Sequence, residues 1–204
     1  MPLTRRAFLS TVTAAPALAA PKTPGLQGPE FIVAALAPLG KNLQIDEGLT
    51  RDYLAFQRDA GVDGVLVNGT TGEFSAFSAA ERKRNLDVFL KHKGALSAMC
   101  QVGANNLPDT LELLRHAQDA GADSALVLPP YYFNQPPDDG LVRFFEPVLE
   151  AARIPVLLYN IPQVSEVELP LELVRRLSKH ERLAGIKDSW GKLDRTLDYI
   201  RQFP

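Results

Sequence analysis

The sequence predicts an α/β fold of the (β/α)8 TIM-barrel type, with about six β-α units present. Short apolar runs alternate with amphipathic stretches at intervals of roughly thirty residues, the length of one β-α repeat. The runs are rich in Val, Ile and Leu without clean alternation, as in parallel strands buried on both faces. A doubly wound sheet permits the same order of elements. The even spacing and the lack of a glycine-rich phosphate loop after the first run favour the barrel.

The six apolar runs predict six strands. They cover residues 31–39, 64–68, 98–102, 125–129, 155–159 and 183–186. Six helices are predicted between and after them. The expected core-facing side chains are Leu49, Tyr53, Phe56 and Ala60 in the first helix, Leu107, Leu111 and Leu114 in the third, Leu141, Phe145, Val148 and Ala152 in the fourth, Leu173, Val174 and Leu177 in the fifth, and Leu193, Leu197 and Ile200 in the sixth.

Local signals mark several helix ends. Ser78 and Glu81 have the spacing of a capping box, which predicts the start of the second helix. Pro170 suits the first turn of the fifth helix. Gly61 and Gly121 follow predicted helix ends, where glycine is the preferred cap.

Composition excludes several classes of function. The 204 residues are 46% hydrophobic and 23% charged with a net charge of −2, which is typical of a globular domain with one core. The predicted folded part contains no basic cluster of the kind that would indicate nucleic-acid binding. Cys100 is the only cysteine, which excludes an intramolecular disulfide and a cysteine-based metal site. No His, Asp and Glu cluster has metal-ligand spacing, so we expect neither a metal nor a cofactor.

Residues 1–24 have the pattern of an export signal. Arg5 and Arg6 precede Phe8 and an uncharged, alanine-rich run that ends at Ala20. The paired arginines are typical of twin-arginine export, which predicts a periplasmic location. The alternative is an amphipathic leader on a cytoplasmic protein. The apolar run is too short for a stable membrane anchor, and residues 25–204 are assigned to the barrel domain.

Polar groups follow the second predicted strand. Gly69, Thr70, Thr71 and Gly72 form a turn whose backbone N–H groups and hydroxyls can hold a carboxylate. In a barrel, chemistry lies where strands run into the loops that follow them. The alternative is a plain β-α turn, which explains the glycines but not the two threonines.

Three other predicted strands end in reactive side chains. Tyr131 and Tyr132 follow the fourth run, Tyr159 ends the fifth, and Lys187 stands where the sixth stops. An amine that forms an imine, a phenol that moves protons and an anion cradle are what class I aldolase chemistry requires. The alternatives are a lysine that reaches solvent beside Asp188 and a Tyr131 that packs beneath a loop.

Four segments together resemble the dihydrodipicolinate synthase / N-acetylneuraminate lyase family. They occur in the family's order from about Phe31 to the end of the chain, and cover residues 69–73, 131–132, 159–162 and 185–189. The resemblance implies a (β/α)8 barrel and a carbon–carbon lyase that binds pyruvate or a related 2-oxo acid.

The resemblance also implies roles for individual residues. Lys187 would form a Schiff base with the substrate, and Tyr159 would act as general acid and base. Thr70 would pass protons between Tyr159 and Tyr132. The family's counterpart of Tyr132 reaches in from a neighbouring subunit, which implies a homo-oligomer.

The substrate carboxylate has an implied binding site as well. Thr71 would hold it together with the backbone N–H groups of the loop that contains Gly69 and Gly72.

One departure bears on the substrate. Dihydrodipicolinate synthases carry an arginine two residues past the Tyr-Asn-x-Pro motif, and Val164 stands there instead. A valine cannot make the bidentate contact that an arginine makes with a carboxylate. An aldolase for a sugar acid or a 4-hydroxy-2-oxo acid is therefore preferred. The alternatives are 4-hydroxy-tetrahydrodipicolinate synthase, which joins pyruvate to aspartate semialdehyde, and a non-catalytic binder of 2-oxo acids.

A second departure is length, because a closed barrel needs eight units and six are predicted. An open barrel exposes two sheet edges and apolar surface. The sequence is then either a fragment or truncated gene product, or a part of a barrel that another chain completes. The fragment is favoured, and we expect the isolated chain to be unstable, with reduced activity or none.

Overall fold

The computed structural model describes residues 30–203 as one parallel sheet flanked by helices. Each strand pairs with its neighbour in the chain, in the order β1-β2-β3-β4-β5-β6, and the sheet curls into part of a barrel. The strands are β1 (Ile32–Ala34), β2 (Gly64–Val67), β3 (Ser97–Gln101), β4 (Ser124–Val127), β5 (Val156–Asn160) and β6 (Leu183–Asp188).

Helices connect the strands and cover the outer face of the sheet. They are α1 (Glu47–Asp59), α2 (Ala79–His92), α3 (Leu107–Ala120), α4 (Asp138–Ala151), α5 (Pro162–Ser165), α6 (Leu171–Leu177) and α7 (Leu193–Gln202). Two 3-10 turns, Thr70–Gly72 and Phe74–Ala76, lie between β2 and α2. This is the β-α alternation of a (β/α)8 barrel with six units in the described residues, as the sequence predicts.

Alternate residues along the strands belong to two different apolar clusters, one on each face of the sheet. In β2, Val65 and Val67 belong to the large outer cluster beneath the helices, whereas Leu66 belongs to a smaller inner cluster. Met99, Leu126 and Tyr159 join that inner cluster from the neighbouring strands. Successive side chains point to opposite faces of a strand, so both faces of this sheet are covered by apolar side chains.

All six predicted strands are present, with ends shifted by a few residues. The largest differences are at β1, which covers three residues of the predicted nine, and at β6, which continues through Lys187 to Asp188. Lys187 therefore lies within the strand and not just beyond it. The pairing of Tyr159 with Lys187 and of Asn160 with Asp188 extends the strand, because β5 supplies partners for both residues.

The predicted capping box and the two predicted glycine caps are confirmed. The Ser78 N–H donates to Glu81 Oε2 over 2.8 Å, and the Glu81 N–H donates to Ser78 Oγ over 3.3 Å. Gly61 and Gly121 follow helix ends with φ of +76° and +93°, a conformation that favours glycine. Pro170 precedes the first residue of α6, one position earlier than expected.

The core-facing residues of the fourth and fifth predicted helices are buried, but two other faces were predicted wrongly. In α1, Phe56 is 66% exposed, and the buried positions are Thr50, Leu54 and Gln57. The Thr50 hydroxyl donates to the Asp46 carbonyl over 2.8 Å, so this polar side chain is buried without losing a hydrogen bond. Polarity alone was therefore a poor guide to this face.

The face of α7 was the second error. Leu193 is 70% exposed and Ile200 is 62% exposed, whereas Tyr199 is buried. The Tyr199 hydroxyl donates to the carbonyl of Leu169, and this bond turns the aromatic face of α7 inward. In α3, Leu114 is buried as predicted.

The predicted export signal lies outside the described residues. Within residues 30–203, no helix is both long enough and apolar enough to cross a membrane.

Candidate active site

Lys187 and Tyr159 are neighbours across the β5–β6 pair. They are direct partners in the parallel register, so their side chains emerge on the same face of the sheet. Lys187 Nζ lies 3.7 Å from the centroid of the Tyr159 ring and donates a hydrogen bond to Ser189 Oγ over 2.9 Å. The lysine predicted to be the nucleophile therefore stands beside the tyrosine predicted to move protons.

Thr70 joins this pair from the loop after β2. Its hydroxyl lies 3.4 Å from the Tyr159 hydroxyl, at the long end of hydrogen-bond distance. The two residues are 89 positions apart in the chain, and the curl of the sheet brings them together. We define Lys187, Tyr159 and Thr70 as the reactive triad.

The triad lowers the pKa of the Tyr159 phenol below its ordinary value of 10.0. Burial of the phenol raises the pKa, because it disfavours the charged phenolate. Contacts with the Lys187 amine and the Thr70 and Ser189 hydroxyls, together with the positive charge of Lys187, lower it by more. Tyr159 is therefore closer to giving up its proton than a tyrosine in water.

Asn160 and Asp188 hold the ends of the two strands together. The Asn160 Nδ2 group donates to Asp188 Oδ1 over 2.9 Å, and the Asn160 carbonyl accepts from the Ser189 N–H over 2.8 Å. Asp188 also accepts from the Thr196 hydroxyl in α7. Asn160 is fully buried and accepts from the Leu169 N–H over 3.1 Å. These bonds fix the backbone on both sides of Lys187.

Asn160 and Ser189 lie within the segments that resemble the family, but the sequence predicts no role for either residue. Asn160 directly follows Tyr159, and Ser189 lies two residues after Lys187. Their supporting role could have been predicted from their position at the end of a buried strand. A polar side chain there needs a hydrogen-bond partner to offset the cost of its desolvation.

The turn after β2 has fewer N–H groups available to bind an anion than the sequence predicts. The N–H groups of Gly72 and Glu73 donate to the carbonyls of Gly69 and Thr70, each over 3.0 Å. The Phe74 N–H also points to the Gly69 carbonyl, at 3.5 Å. A Cβ on Gly72 would lie 3.0 Å from the Ala35 carbonyl oxygen, so glycine lets the turn approach β1. Three N–H groups of the turn are therefore already engaged within the turn.

Thr71 faces away from the triad. It is exposed and lines a groove of about 370 Å³ together with Leu36, Leu39 and Tyr53. Thr70, by contrast, lines a separate cavity. The assignment of Thr71 to the substrate carboxylate stays a prediction.

The structure does not bring Tyr132 to the triad within one chain. Its side chain is 80% exposed, and its ring packs edge-on against Phe133 with centroids 5.0 Å apart. Its φ of +87° is strained for a bulky residue, and such strain is often kept where a loop has a function. Tyr131 instead packs against Phe74, with centroids 5.8 Å apart.

A buried arginine lies behind the turn and was missed. The guanidinium of Arg82 donates to the carbonyls of Gln101 and Gly103 over 2.9 and 3.1 Å, and stands 5.1 Å from the centre of the Phe74 ring. Burial lowers the pKa of this arginine. The charge of Arg82 is thus shared among backbone carbonyls and an aromatic face, which ties the turn to the end of β3.

The described residues hold no group of three His, Cys, Asp or Glu side chains placed to bind a metal ion. Within the same range, His92 pairs with Glu47 and His116 pairs with Asp87 on the helical surface, away from the triad. The chemistry that the triad offers is that of an amine, a phenol and a hydroxyl.

Known proteins share this arrangement of elements. The family model described as the dihydrodipicolinate synthetase family matches residues 29–203. The chain is 37% identical over 171 residues to a 4-hydroxy-tetrahydrodipicolinate synthase of Syntrophus aciditrophicus, which covers 83% of this chain and 58% of that protein.

Solved structures agree with the sequence match. The chain is similar to a prophage protein of the dihydrodipicolinic acid synthase family from E. coli K12, solved with pyruvate, at 32% identity and a TM-score of 0.80. That match covers 83% of this chain and 57% of the other. A sialic acid aldolase of Ruminococcus gnavus matches at 28% identity and a TM-score of 0.81, over 86% of this chain and 58% of the other. The chain therefore spans less than two thirds of the length of these relatives.

Proposed function

The chain belongs to the dihydrodipicolinate synthetase family, and on that premise we propose that it is a Schiff-base aldolase acting on pyruvate or a related 2-oxo acid. Members of the family are lyases and aldolases. The observation that carries the proposal is the reactive triad, in which Lys187 Nζ lies 3.7 Å from the Tyr159 ring centre and Thr70 lies 3.4 Å from the Tyr159 hydroxyl.

The proposed reaction begins at Lys187. After its ammonium group gives up a proton, the amine attacks the keto carbon of pyruvate, and loss of water leaves an imine. Tyr159 is placed to protonate the departing hydroxyl, since its phenol lies against the amine and its lowered pKa eases transfer of the proton. Thr70 is the next hydroxyl along and provides a route by which the proton is replaced.

The carbon–carbon step follows from the imine. Loss of a proton from the methyl carbon gives an enamine, which attacks the carbonyl carbon of an aldehyde. The aldehyde oxygen gains a proton, and water then releases a 4-hydroxy-2-oxo acid and restores Lys187. The sum is one pyruvate plus one aldehyde, with no oxidation or reduction, and the reverse sequence is a retro-aldol cleavage.

Borohydride trapping tests the proposal directly. Reduction of the chain in the presence of pyruvate should add one pyruvate-derived mass to Lys187, located by peptide mass spectrometry. Lys187→Ala should abolish the adduct, while Lys192→Ala, a nearby exposed lysine, should retain it. Equal labelling of Lys187→Ala and the native chain would show that the Schiff base forms elsewhere.

The same preparation distinguishes the remaining candidates. Val164 stands where the synthases carry an arginine, which favours an aldolase of sugar-acid or 4-hydroxy-2-oxo-acid type. Rapid condensation of pyruvate with aspartate semialdehyde would assign the synthase activity instead. A pyruvate-dependent rise in melting temperature without an adduct or turnover would indicate a non-catalytic binder.

We further propose that the active form is a homo-oligomer in which Tyr132 joins the triad of a neighbouring copy as a fourth residue. The exposed Tyr132–Phe133 pair supports this, because a large exposed aromatic surface on a loop is typical of a contact site. Lys187→Ala and Tyr132→Phe should each be inactive alone. Mixed oligomers should regain part of the activity, and failure of mixing to restore any would argue that Tyr132 acts within its own chain or not at all.

A further inference from the structure

The turn that carries Thr70 begins with a buried asparagine in an uncommon backbone conformation. Asn68 directly follows β2 and has a φ of +57°, in the left-handed region. Asparagine adopts this region more readily than most non-glycine residues, because its short amide can form local hydrogen bonds. The chain then turns at Gly69, where a Cβ would lie 3.2 Å from Cδ2 of Leu66. The conformation of Asn68 therefore sets the direction in which the chain reaches Thr70.

Two hydrogen bonds to helix α2 fix the side chain of Asn68. Its Nδ2 group donates to the carbonyl of Arg82 over 2.9 Å, and its Oδ1 atom accepts from Asn85 Nδ2 over 2.8 Å. Both asparagines are buried, with exposed fractions of 2% and 1%. A buried amide that loses its partner is costly, so these bonds resist any rotation of Asn68. We refer to Asn68 and Asn85 as the amide pair.

Fold stability alone does not explain the amide pair. Val67 and Leu86, the residues next to the pair in the chain, both belong to the large outer apolar cluster. Two buried amides exchange bonds to water for bonds to each other, and apolar side chains of the same shape stabilise a fold equally well or better. Apolar packing has no preferred direction, whereas a hydrogen bond does. The amide pair therefore contributes a defined orientation of the chain at the end of β2.

Helix α2 also contacts the far side of the turn. Arg82 lies three residues before Asn85, so the two side chains project from the same face of the helix. The Arg82 guanidinium stands 5.1 Å from the centre of the Phe74 ring. Asn68 comes two residues before Thr70, and Phe74 comes four residues after it. One helix therefore holds the chain on both sides of Thr70.

The contact between Thr70 and Tyr159 is sensitive to this placement. The two hydroxyls are 3.4 Å apart, at the long end of hydrogen-bond distance, so a small displacement of the turn would break the contact. The Thr70 hydroxyl is one of the groups that lower the pKa of the Tyr159 phenol. A displaced turn would therefore change the acidity of Tyr159 as well as the route by which its proton is replaced.

We infer that Asn68 and Asn85 are positioning residues, which orient the turn after β2 so that the Thr70 hydroxyl meets Tyr159. They act through Thr70 and take no part in bond making. Their effect on turnover rests on the proposed function, since Thr70 serves the proton route of that reaction. The contact that they maintain belongs to the folded chain and can be measured without a substrate.

The first test replaces the amide pair as a unit and follows the titration of Tyr159. Asn68→Gly keeps the left-handed conformation accessible, and Asn85→Leu fills the space with an apolar side chain, so that no buried amide is left unpaired. The double variant should stay folded by circular dichroism. The alkaline absorbance titration of Tyr159, taken as the difference from the same protein with Tyr159→Phe, should move to higher pH, because the Thr70 hydroxyl no longer contacts the phenol.

Two further variants make this result specific. Asn85→Ala, a milder change that keeps Asn68, should move the titration in the same direction by less. Leu86→Val loosens the packing of the same helix without altering a hydrogen bond to the turn, and its titration should match the native chain. A native titration in both the double variant and Asn85→Ala would overturn the inference, and so would an equal shift in Leu86→Val.

The second test measures exchange of the pyruvate methyl protons in D2O by proton NMR. Each exchange breaks a methyl C–H bond to form the enamine and makes a C–D bond on its return, so no aldehyde is needed. The double variant should slow this exchange by about tenfold or more while the borohydride adduct still forms on Lys187. In a Thr70→Val background the same two substitutions should cause no further slowing. Equal slowing in both backgrounds would show that the amide pair does not act through Thr70.

Pyruvate trapping keeps the two hypotheses apart. If the native chain forms no adduct and exchanges no methyl protons, the proposed function fails, and the titration of Tyr159 still decides whether the amide pair places Thr70. If the adduct forms and the double variant matches the native chain in both titration and exchange, the proposed function stands and this inference is wrong.

Discussion

The strands β2–β5 and the segment from Leu183 to Gln202 are stabilised in different ways. Every residue of β2 and β4 is buried, whereas every residue of β6 is only half-buried. In α7, Tyr199 is the one buried residue. We refer to β2–β5 with their covering helices as the packed wall, and to residues 183–202 as the β6 corner.

Polar contacts replace apolar burial at the β6 corner. Asp188 accepts hydrogen bonds from Asn160, Trp190 and Thr196. Arg195 pairs with Glu168 at 2.9 Å. Such contacts are directional and hold a few atoms in place, whereas apolar burial stabilises a region without fixing a particular geometry. Lys187 lies in the region where directional contacts dominate.

Substitutions that remove apolar volume should show the largest difference in the free energy of unfolding between the two regions. Leu158 in the packed wall is fully buried, so Leu158→Ala should lower the free energy of unfolding by about 2–5 kcal/mol. Ile200→Ala, at an exposed position of the β6 corner, should change it by less than about 0.5 kcal/mol. Urea unfolding followed by circular dichroism measures both. Similar losses for the two variants would mean that the corner is packed as tightly as the wall.

Loss of the Asp188 carboxylate should have the next largest effect. Asp188→Ala leaves the buried Asn160 amide without this acceptor and the Thr196 hydroxyl with only the Lys192 carbonyl at 3.5 Å, at a cost of about 1–3 kcal/mol. Hydrogen exchange should speed up in β6 and α7 and stay unchanged in β2–β4. Asp188→Asn, which keeps one acceptor oxygen, serves as the control. Faster exchange throughout the sheet would contradict the division into two regions.

The chain carries one cysteine and one tryptophan, and each reports on one region. Burial raises the pKa of the Cys100 thiol to about 12, so the thiol stays protonated and unreactive while the packed wall is closed. Trp190 lies in the β6 corner. With rising urea at pH 8, Trp190 fluorescence should change before Cys100 becomes open to thiol reagents. Coincident midpoints would show that wall and corner unfold as one unit.

The raised pKa of the Cys100 thiol also predicts that the free energy of unfolding falls at alkaline pH. Its folded-state pKa lies above the ordinary 9.0, so the stabilisation from keeping it protonated is complete below about pH 9. This stabilisation is lost as the pH rises from there towards 12. Cys100→Ala should reduce that alkaline loss, as measured by urea midpoints between pH 8 and 11.

The smallest expected effect is at Tyr159, which lies in the wall and faces the corner. Its phenol pKa is lowered, so it should ionise below pH 10.0. The difference in absorbance at alkaline pH between the native chain and Tyr159→Phe gives its titration. Lys187→Met should move that titration to higher pH, because the neighbouring amine is removed. A titration that does not respond to Lys187→Met would show that the amine does not govern the phenol.

Local sequence signals predicted the elements of the fold well. The capping box at Ser78 and the glycine caps at Gly61 and Gly121 depend on contacts within a few residues, and all are confirmed. The faces of α1 and α7 were predicted less well. Burial of Thr50 and Tyr199 depends on hydrogen bonds to Asp46 and Leu169, and a hydropathy pattern does not register such bonds.

By itself the sequence determined the β-α repeat and the family, because strand periodicity and residue types can be read along the chain. It also singled out Lys187, Tyr159 and Thr70 as predicted site residues. The tertiary structure alone decided which of these side chains meet. Thr70 lies beside Tyr159 although the two are 89 positions apart in the chain. Thr71 lines a different groove, and Tyr132 is exposed to solvent. The reason is that register and curl of a sheet are set by the packing of all its strands together, and no single motif contains that information.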